Sequence, residues 1–178
     1  MVASAVNNLK LAFSTEGMMT DSLAEDIAYM KMALEEARKA AECGEVPIGA
    51  VLVVEQTILG CGHNQRENRQ DPTAHAEMIA LRAAAAELQS WRLLQATLYV
   101  TMEPCVMCIG AVILARVKRV VFGVHDPKAG ACGSIFNIPL DRRLNHHVEV
   151  VGGILQEESR QLLQEFFGIL RNKAVQTG

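Results

Sequence analysis

Asp71-Pro72-Thr73-Ala74-His75-Ala76-Glu77 and Glu103-Pro104-Cys105-Val106-Met107-Cys108 are the two stretches around which the chain is organised. Each runs into an apolar segment with helical spacing, so each predicts the start of a helix. Asp71 at the cap and Pro72 at the first helical position predict one running through Leu81, Ala84 and Leu88 to about Gln89. Pro104 is expected to open the other, with Cys105 and Cys108 three residues apart on one face. Together the stretches offer one imidazole, two thiols, and a glutamate two residues from the histidine. Zinc favours two thiolates and an imidazole, and three protein ligands leave its fourth tetrahedral position open. Glu77 is then expected beside the metal, as a proton carrier rather than a ligand.

Outward from these helix starts the chain keeps alternating between strand and helix patterns. Ser22-Leu23-Ala24-Glu25 reads as a capping box. Leu23, Ile27, Met30, Leu34 and Ala37 then recur at helical spacing up to Cys43, with Gly44 as the stop. Ile48 to Val54 is a β-branched run that Glu55-Gln56-Thr57 turns back into Ile58 to Cys61, a hairpin. Thr97 to Thr101 and Arg119 to Val124 flank the second motif helix, and a strand-helix-strand unit of this length predicts a right-handed parallel crossover. Val148 to Val151 supplies a fifth strand, and Leu155 to Leu170 a closing amphipathic helix. The expected fold class is therefore α/β: a three-layer α/β/α domain with a five-stranded mixed sheet.

A chain of 178 residues is long enough to bury a core without staples. Hydrophobic residues make up 50% but aromatics only 4%, so aliphatic and alanine packing must carry the burial. No apolar run approaches the roughly 20 residues that cross a bilayer, so the chain reads as soluble, with no membrane partner. Residues 1–20 lack both the arginines of a transit peptide and a signal-peptide core, and are expected to be a disordered extension. Residues 21–173 would form the folded domain and 174–178 a tail. Five cysteines, two of them in the motif, are not a disulfide framework. Cys43, Cys61 and Cys132 are expected to be small buried filler. Thiolate ligands need a reducing compartment, which points to the cytoplasm.

A net charge of −3 is unusual for a protein that binds RNA, because phosphate neutralisation normally shows as a basic surplus. The acids crowd the first and last helices. From Arg116 to Arg143, the basic residues Arg116, Lys118, Arg119, Lys128, Arg142 and Arg143 face only Asp126 and Asp141. That run reads either as a basic patch for a polyanion or as an ordinary solvated surface.

His-x-Glu followed by Pro-Cys-x-x-Cys is the known signature of zinc-dependent nucleobase deaminases. With its flanks, and with Val46-Pro47-Ile48-Gly49-Ala50-Val51-Leu52-Val53, the chain resembles bacterial tRNA-specific adenosine deaminases of the cytidine and deoxycytidylate deaminase superfamily. The resemblance runs from about Leu23 to Arg171. It implies a cytidine-deaminase-like fold, a homodimer, and a tRNA anticodon stem-loop as partner. The reaction it implies is hydrolytic deamination of adenosine to inosine at the wobble position, with zinc-activated water as nucleophile. Zn2+ would be held by His75, Cys105 and Cys108, and Glu77 would act as base and then acid. The resemblance also places Asn64, Ala76, Asp126, Lys128 and Phe167 at the substrate: Asn64 on the extruded nucleotide, Asp126 on its ribose, Lys128 on a phosphate, Phe167 at the pocket rim. Two features depart from the family pattern. Gly168-Ile169-Leu170 stand before Arg171 and Lys173 where a basic cluster is usual, and there is an extension before Leu23.

The charge count constrains the chemistry. Zinc with two thiolates and a neutral imidazole sums to zero, which blunts its pull on water. Two helix N-termini, each worth up to about half a positive charge, are expected to offset the thiolates and to lower the cysteines' own pKa. Three other readings remain open on sequence. One is a zinc deaminase of a free base, nucleoside or nucleotide, of guanine, cytosine or deoxycytidylate type. Another is a zinc-stabilised RNA-binding module without catalysis, in which Glu77 only starts a helix. The last is a closed structural zinc site, with His63, His125, His146, His147 or a spare cysteine as fourth ligand.

Overall fold

Five short segments with buried aliphatic residues build one sheet: β1 (Gly49–Val54), β2 (Thr57–His63), β3 (Thr97–Met102), β4 (Arg119–Val124) and β5 (Glu149–Gly152). The computed structural model describes residues 2–176, with side chains over 22–172. The strand order is β2-β1-β3-β4-β5. β1 lies antiparallel to β2 and β3, whereas β3, β4 and β5 run parallel. The sheet is therefore mixed and five-stranded, as expected. The helices are α1 (Val2–Glu42), α2 (Arg66–Arg69), α3 (Ala76–Glu87), α4 (Val106–Leu114) and α5 (Gln156–Gln176), with a 3-10 turn at Ile138–Leu140.

Period-two alternation divides the strands between two cores. Leu52, Leu98, Val100, Val120 and Phe122 face α3 and α4, where they meet Ala80, Ala84, Ile109 and Val112. Val51, Val53, Tyr99 and Val121 face the other way, against Met30 and Ala33 of α1. Small residues let the layers approach. A β-carbon on Gly60 or Gly62 would collide with the backbone of Ala80 or Ala76, so α3 lies almost on β2. Such a glycine and alanine seam is how a chain poor in aromatics buries its sheet. Among the described residues no helix is long and apolar enough to cross a membrane.

Several local expectations are corrected. Ser22 lies inside α1 rather than at its start, since no proline interrupts residues 2–42. The expected disordered extension over 1–20 and the tail over 174–178 fall on residues whose side chains lie outside the described ones. Asp71 does not cap α3. It closes a tight turn, accepting from the Thr73 amide through Oδ1 (2.8 Å) and from the Ala74 amide through its carbonyl (3.1 Å). Helix α3 begins four residues later than Pro72, and α4 two residues after Pro104. The hairpin turn is Glu55-Gln56 alone, both with positive φ (46° and 64°), the backbone twist that joins two strands through two residues. Cys132 is buried, but Cys43 and Cys61 are exposed, at the end of α1 and on the edge strand β2.

The basic run from Arg116 to Arg143 is not one patch. Arg119 reaches Asp26 of α1 through Nη1 (2.6 Å) and Nη2 (2.8 Å) and Glu149 through Nε (3.1 Å). Arg143 is paired with Asp141 (2.6 Å). Arg116, Lys118 and Arg119 stand at or before the first residue of β4, the end of the parallel strands away from the ligand-bearing loops.

Candidate active site

His75 and Cys105 occupy the N-cap positions of α3 and α4, in extended backbone (φ −77°, ψ 153° and φ −76°, ψ 174°). Neither side chain caps its own helix, so both are free to turn toward each other across the two helix starts. The Nδ1 atom of His75 lies 3.8 Å from Cys105 Sγ and 3.5 Å from Cys108 Sγ. A tetrahedron with Zn–N of about 2.0–2.1 Å and Zn–S of about 2.3 Å has edges of about 3.5–3.8 Å, so these three atoms fit a zinc ion. Among the described residues, no fourth histidine, cysteine, aspartate or glutamate joins the group. His63 is turned to Glu36 (3.0 Å), His125 to Glu103 (3.2 Å) and His146 to the Val117 carbonyl (2.7 Å).

The electrostatics of the cluster follow from its crowding. A hydrogen bond from the Cys108 thiol holds Cys105 down to about 4, helped against burial by His75 and the Cys108 amide. Cys108 is pushed up, because Cys105 takes the negative charge first and burial penalises a second. A metal ion held by both sulfurs would displace the remaining thiol proton. His75 is raised, its hydrogen bond to Cys105 outweighing burial. Glu77 is buried, and burial pushes its carboxyl above the ordinary range; its own backbone amide and His75 pull back only part of the way. A carboxyl buried beside the three converging atoms is placed to pass protons within the cavity.

His75, Glu77 and Cys105 share a cavity of about 170 Å3 with Asn64, Arg66 and Asp126. That is well under the roughly 300–1,000 Å3 of a pocket for a drug-sized ligand. Asn64 is buried, fixed by its amide to the Ile48 carbonyl (3.0 Å). The other residues named from resemblance are placed differently. Ala76 is wholly buried, stacked against Gly62 in the core rather than lining the cavity. Lys128 is exposed beside the cavity; its amide bonds Asp126 Oδ1 (2.9 Å). Phe167 points outward from α5 at 41% exposure and is not among the lining residues, while Phe166 packs inward near Ala41 and Leu162. Sequence reading missed Arg66 and Glu103. Arg66 follows Asn64 by two, opens the short helix α2 and lines the cavity. Glu103 was visible only as a motif flank.

Comparison with known proteins adds to this geometry. The family model for MafB19-like deaminase matches residues 24–171. A tRNA-specific adenosine deaminase of Bacillus subtilis (strain 168) is 52% identical over 151 residues, covering 85% of this chain and 94% of that protein. A structure from a study of A-to-I editing by tRNA:A34 deaminases at the wobble position superposes with a TM-score of 0.74. It is 41% identical and covers 76% of this chain and 99% of that one. The guanine deaminase of Nitrosomonas europaea superposes at 0.66 with 27% identity, over 79% of this chain and 83% of that one.

Proposed function

The chain belongs to the family of bacterial tRNA-specific adenosine deaminases, and from that we propose that it hydrolyses adenosine to inosine at the wobble position of a tRNA anticodon. The observation that carries the reading is a buried carboxyl, Glu77, set beside three converging zinc-type ligand atoms at one small cavity. His75, Cys105 and Cys108 would hold the ion. When bound, zinc supplies a water activated for attack near neutral pH.

The remaining work falls to the chain. Glu77 takes one proton from the attacking water and gives it to the ring nitrogen of the base, then takes the second from the hydroxyl on the ring carbon and gives it to the departing amine, which leaves as ammonia. Water adds its oxygen to the ring carbon as the amine leaves, so adenosine and water become inosine and ammonia. The cavity is too small for a stacked duplex and has room for one extruded base, read at its edge by the Asn64 amide. Arg66 and Lys128 supply positive charge near the cavity for phosphates on either side, which answers the acidic net charge locally. Asp126 is placed for the ribose. The soluble reading and the reduced thiols favour the cytoplasm.

Zinc-loaded protein offered an anticodon stem-loop with adenosine at the wobble position is expected to produce inosine in that loop, read by nuclease digestion and mass spectrometry. Free adenosine, cytidine and guanine are expected to be untouched. Turnover of free guanine or cytidine beside an intact stem-loop would replace this reading with the free-base one.

A homodimer is part of the same reading. Leu114 at the end of α4, 73% exposed, and Trp91 in the loop after α3, 56% exposed, rim an apolar hollow with Met78 and Leu81 of α3. Contiguous apolar surface of this kind suits a second copy. Leu114→Glu would place a charge in that contact and is expected to raise the dimer dissociation constant at least about tenfold, measured by sedimentation. Zinc content is expected to stay the same. An unchanged sedimentation profile would remove this face from the interface.

A further inference from the structure

Glu103 closes β3 two residues before a ligand, and its side chain has 0% exposure, so it reaches the chain rather than anything in solvent. What it reaches is a single loop, residues 125–134. Oε1 accepts from the amides of Cys132 (2.8 Å) and Ser134 (3.0 Å). Oε2 accepts from the amide of Asp126 (3.1 Å), from the ring N–H of His125 (3.2 Å) and from the Ser134 hydroxyl. Five donors from four loop residues thus converge on one carboxylate, a role that needs an acceptor on both oxygens.

The loop is built to meet it. A β-carbon on Gly130 would stand 2.5 Å from Glu103 Cδ and 2.6 Å from Oε2, so only glycine lets the chain fold over the carboxylate. The Gly130 amide bonds the Asp126 carbonyl (3.0 Å), and the Ala131 amide bonds the Pro104 carbonyl (2.9 Å). Held in this way, Asp126 and Ala129 become part of the cavity wall.

We propose that Glu103 is a positioning residue for substrate: its carboxylate fixes the 125–134 loop as the wall against which the nucleotide sits. The proposal rests on the wobble-adenosine reading for the identity of that nucleotide, but not for the hold on the loop. Glutamine at this position keeps one oxygen and turns an NH2 group to the other side. The Asp126 amide would then face a donor, and that half of the loop would come loose.

The test uses the full zinc-loaded chain with Glu103→Gln and two readouts. Hydrogen exchange across 125–134 is expected to rise about tenfold or more, with α3 unchanged. On the stem-loop, KM is expected to rise about tenfold while kcat stays within about threefold and zinc stays bound, the pattern of lost binding rather than lost chemistry. If the residue acted instead through Cys105, zinc and kcat would fall together, which would overturn the proposal. Unchanged exchange over 125–134 would also overturn it, as would an unchanged KM. Should Glu103→Gln not fold, Ser134→Ala removes one donor and leaves the carboxylate; it is expected to show the same split at about threefold, and an unchanged KM there counts against the idea. If the wild type leaves the stem-loop untouched, the tRNA reading fails and the exchange measurement alone decides the loop.

Discussion

Glu77→Gln is expected to leave a folded, zinc-loaded protein whose stem-loop deamination is lower by about 10²–10⁴-fold, the usual worth of a positioned proton carrier. The substitution is nearly isosteric and keeps an oxygen in the same place, so binding of the base should change little. What it removes is a buried, titratable group at the cavity that lies outside the ligand set and, unlike Glu103, is not taken up by loop amides. Because Glu77 is not one of the three converging ligand atoms, metal analysis is expected to return the wild-type zinc content. The measurement pairs single-turnover deamination with zinc stoichiometry on the same preparation. A variant that keeps its zinc and most of its rate would move the chain to the class of zinc-stabilised binding modules. One that loses zinc in step with activity would place Glu77 in the coordination sphere instead.

The largest expected loss of stability lies on the opposite face of the sheet. Asp26 on α1 is 4% exposed and takes a two-pronged pair from Arg119, plus the Tyr99 hydroxyl at 3.0 Å. Burial pushes the Tyr99 hydroxyl's pKa up, with the neighbouring Asp26 charge and hydrogen bond adding to it, so Tyr99 stays a neutral donor. Arg119→Ala would strand a buried carboxylate with one neutral donor, a change that costs about 3–5 kcal/mol. For a chain of this length that corresponds to a fall in Tm of roughly 6–20 °C. Asp26→Asn combined with Arg119→Met removes both charges and is expected to recover much of the loss, because the penalty belongs to the unpaired charge rather than to the missing pair. Thermal unfolding of the three variants decides it. A loss below about 1 kcal/mol in Arg119→Ala would mean that solvent reaches Asp26 and that the pair is an ordinary surface one.

Some errors of sequence reading share one cause. Asp71 and Pro104 looked like helix starts because caps and first-turn prolines are local preferences. Yet the N-caps proved to be His75 and Cys105, residues with poor intrinsic capping ability. At those positions the two side chains meet across the helix starts, and a capping preference worth about 1 kcal/mol yields to that packing. The basic run, open on sequence between a patch and a solvated surface, was decided by a distant contact of the same kind: Arg119 is spent on a helix 93 residues away, which no window of sequence displays.

Residue type and spacing alone determined the α/β class, the five strands and the grouping of His75, Cys105 and Cys108, which could hold a metal ion, with Glu77 nearby, because alternation and short-range motifs are written locally along the chain. Only the tertiary structure decided that His75 and Cys105 sit at the N-caps, that Arg66 lines the cavity while Ala76 and Phe167 do not, and that Glu103 gathers a loop up to 31 residues distant. Those facts depend on which side chains meet when layers pack, and burial, clash and hydrogen-bond supply across distant segments settle that.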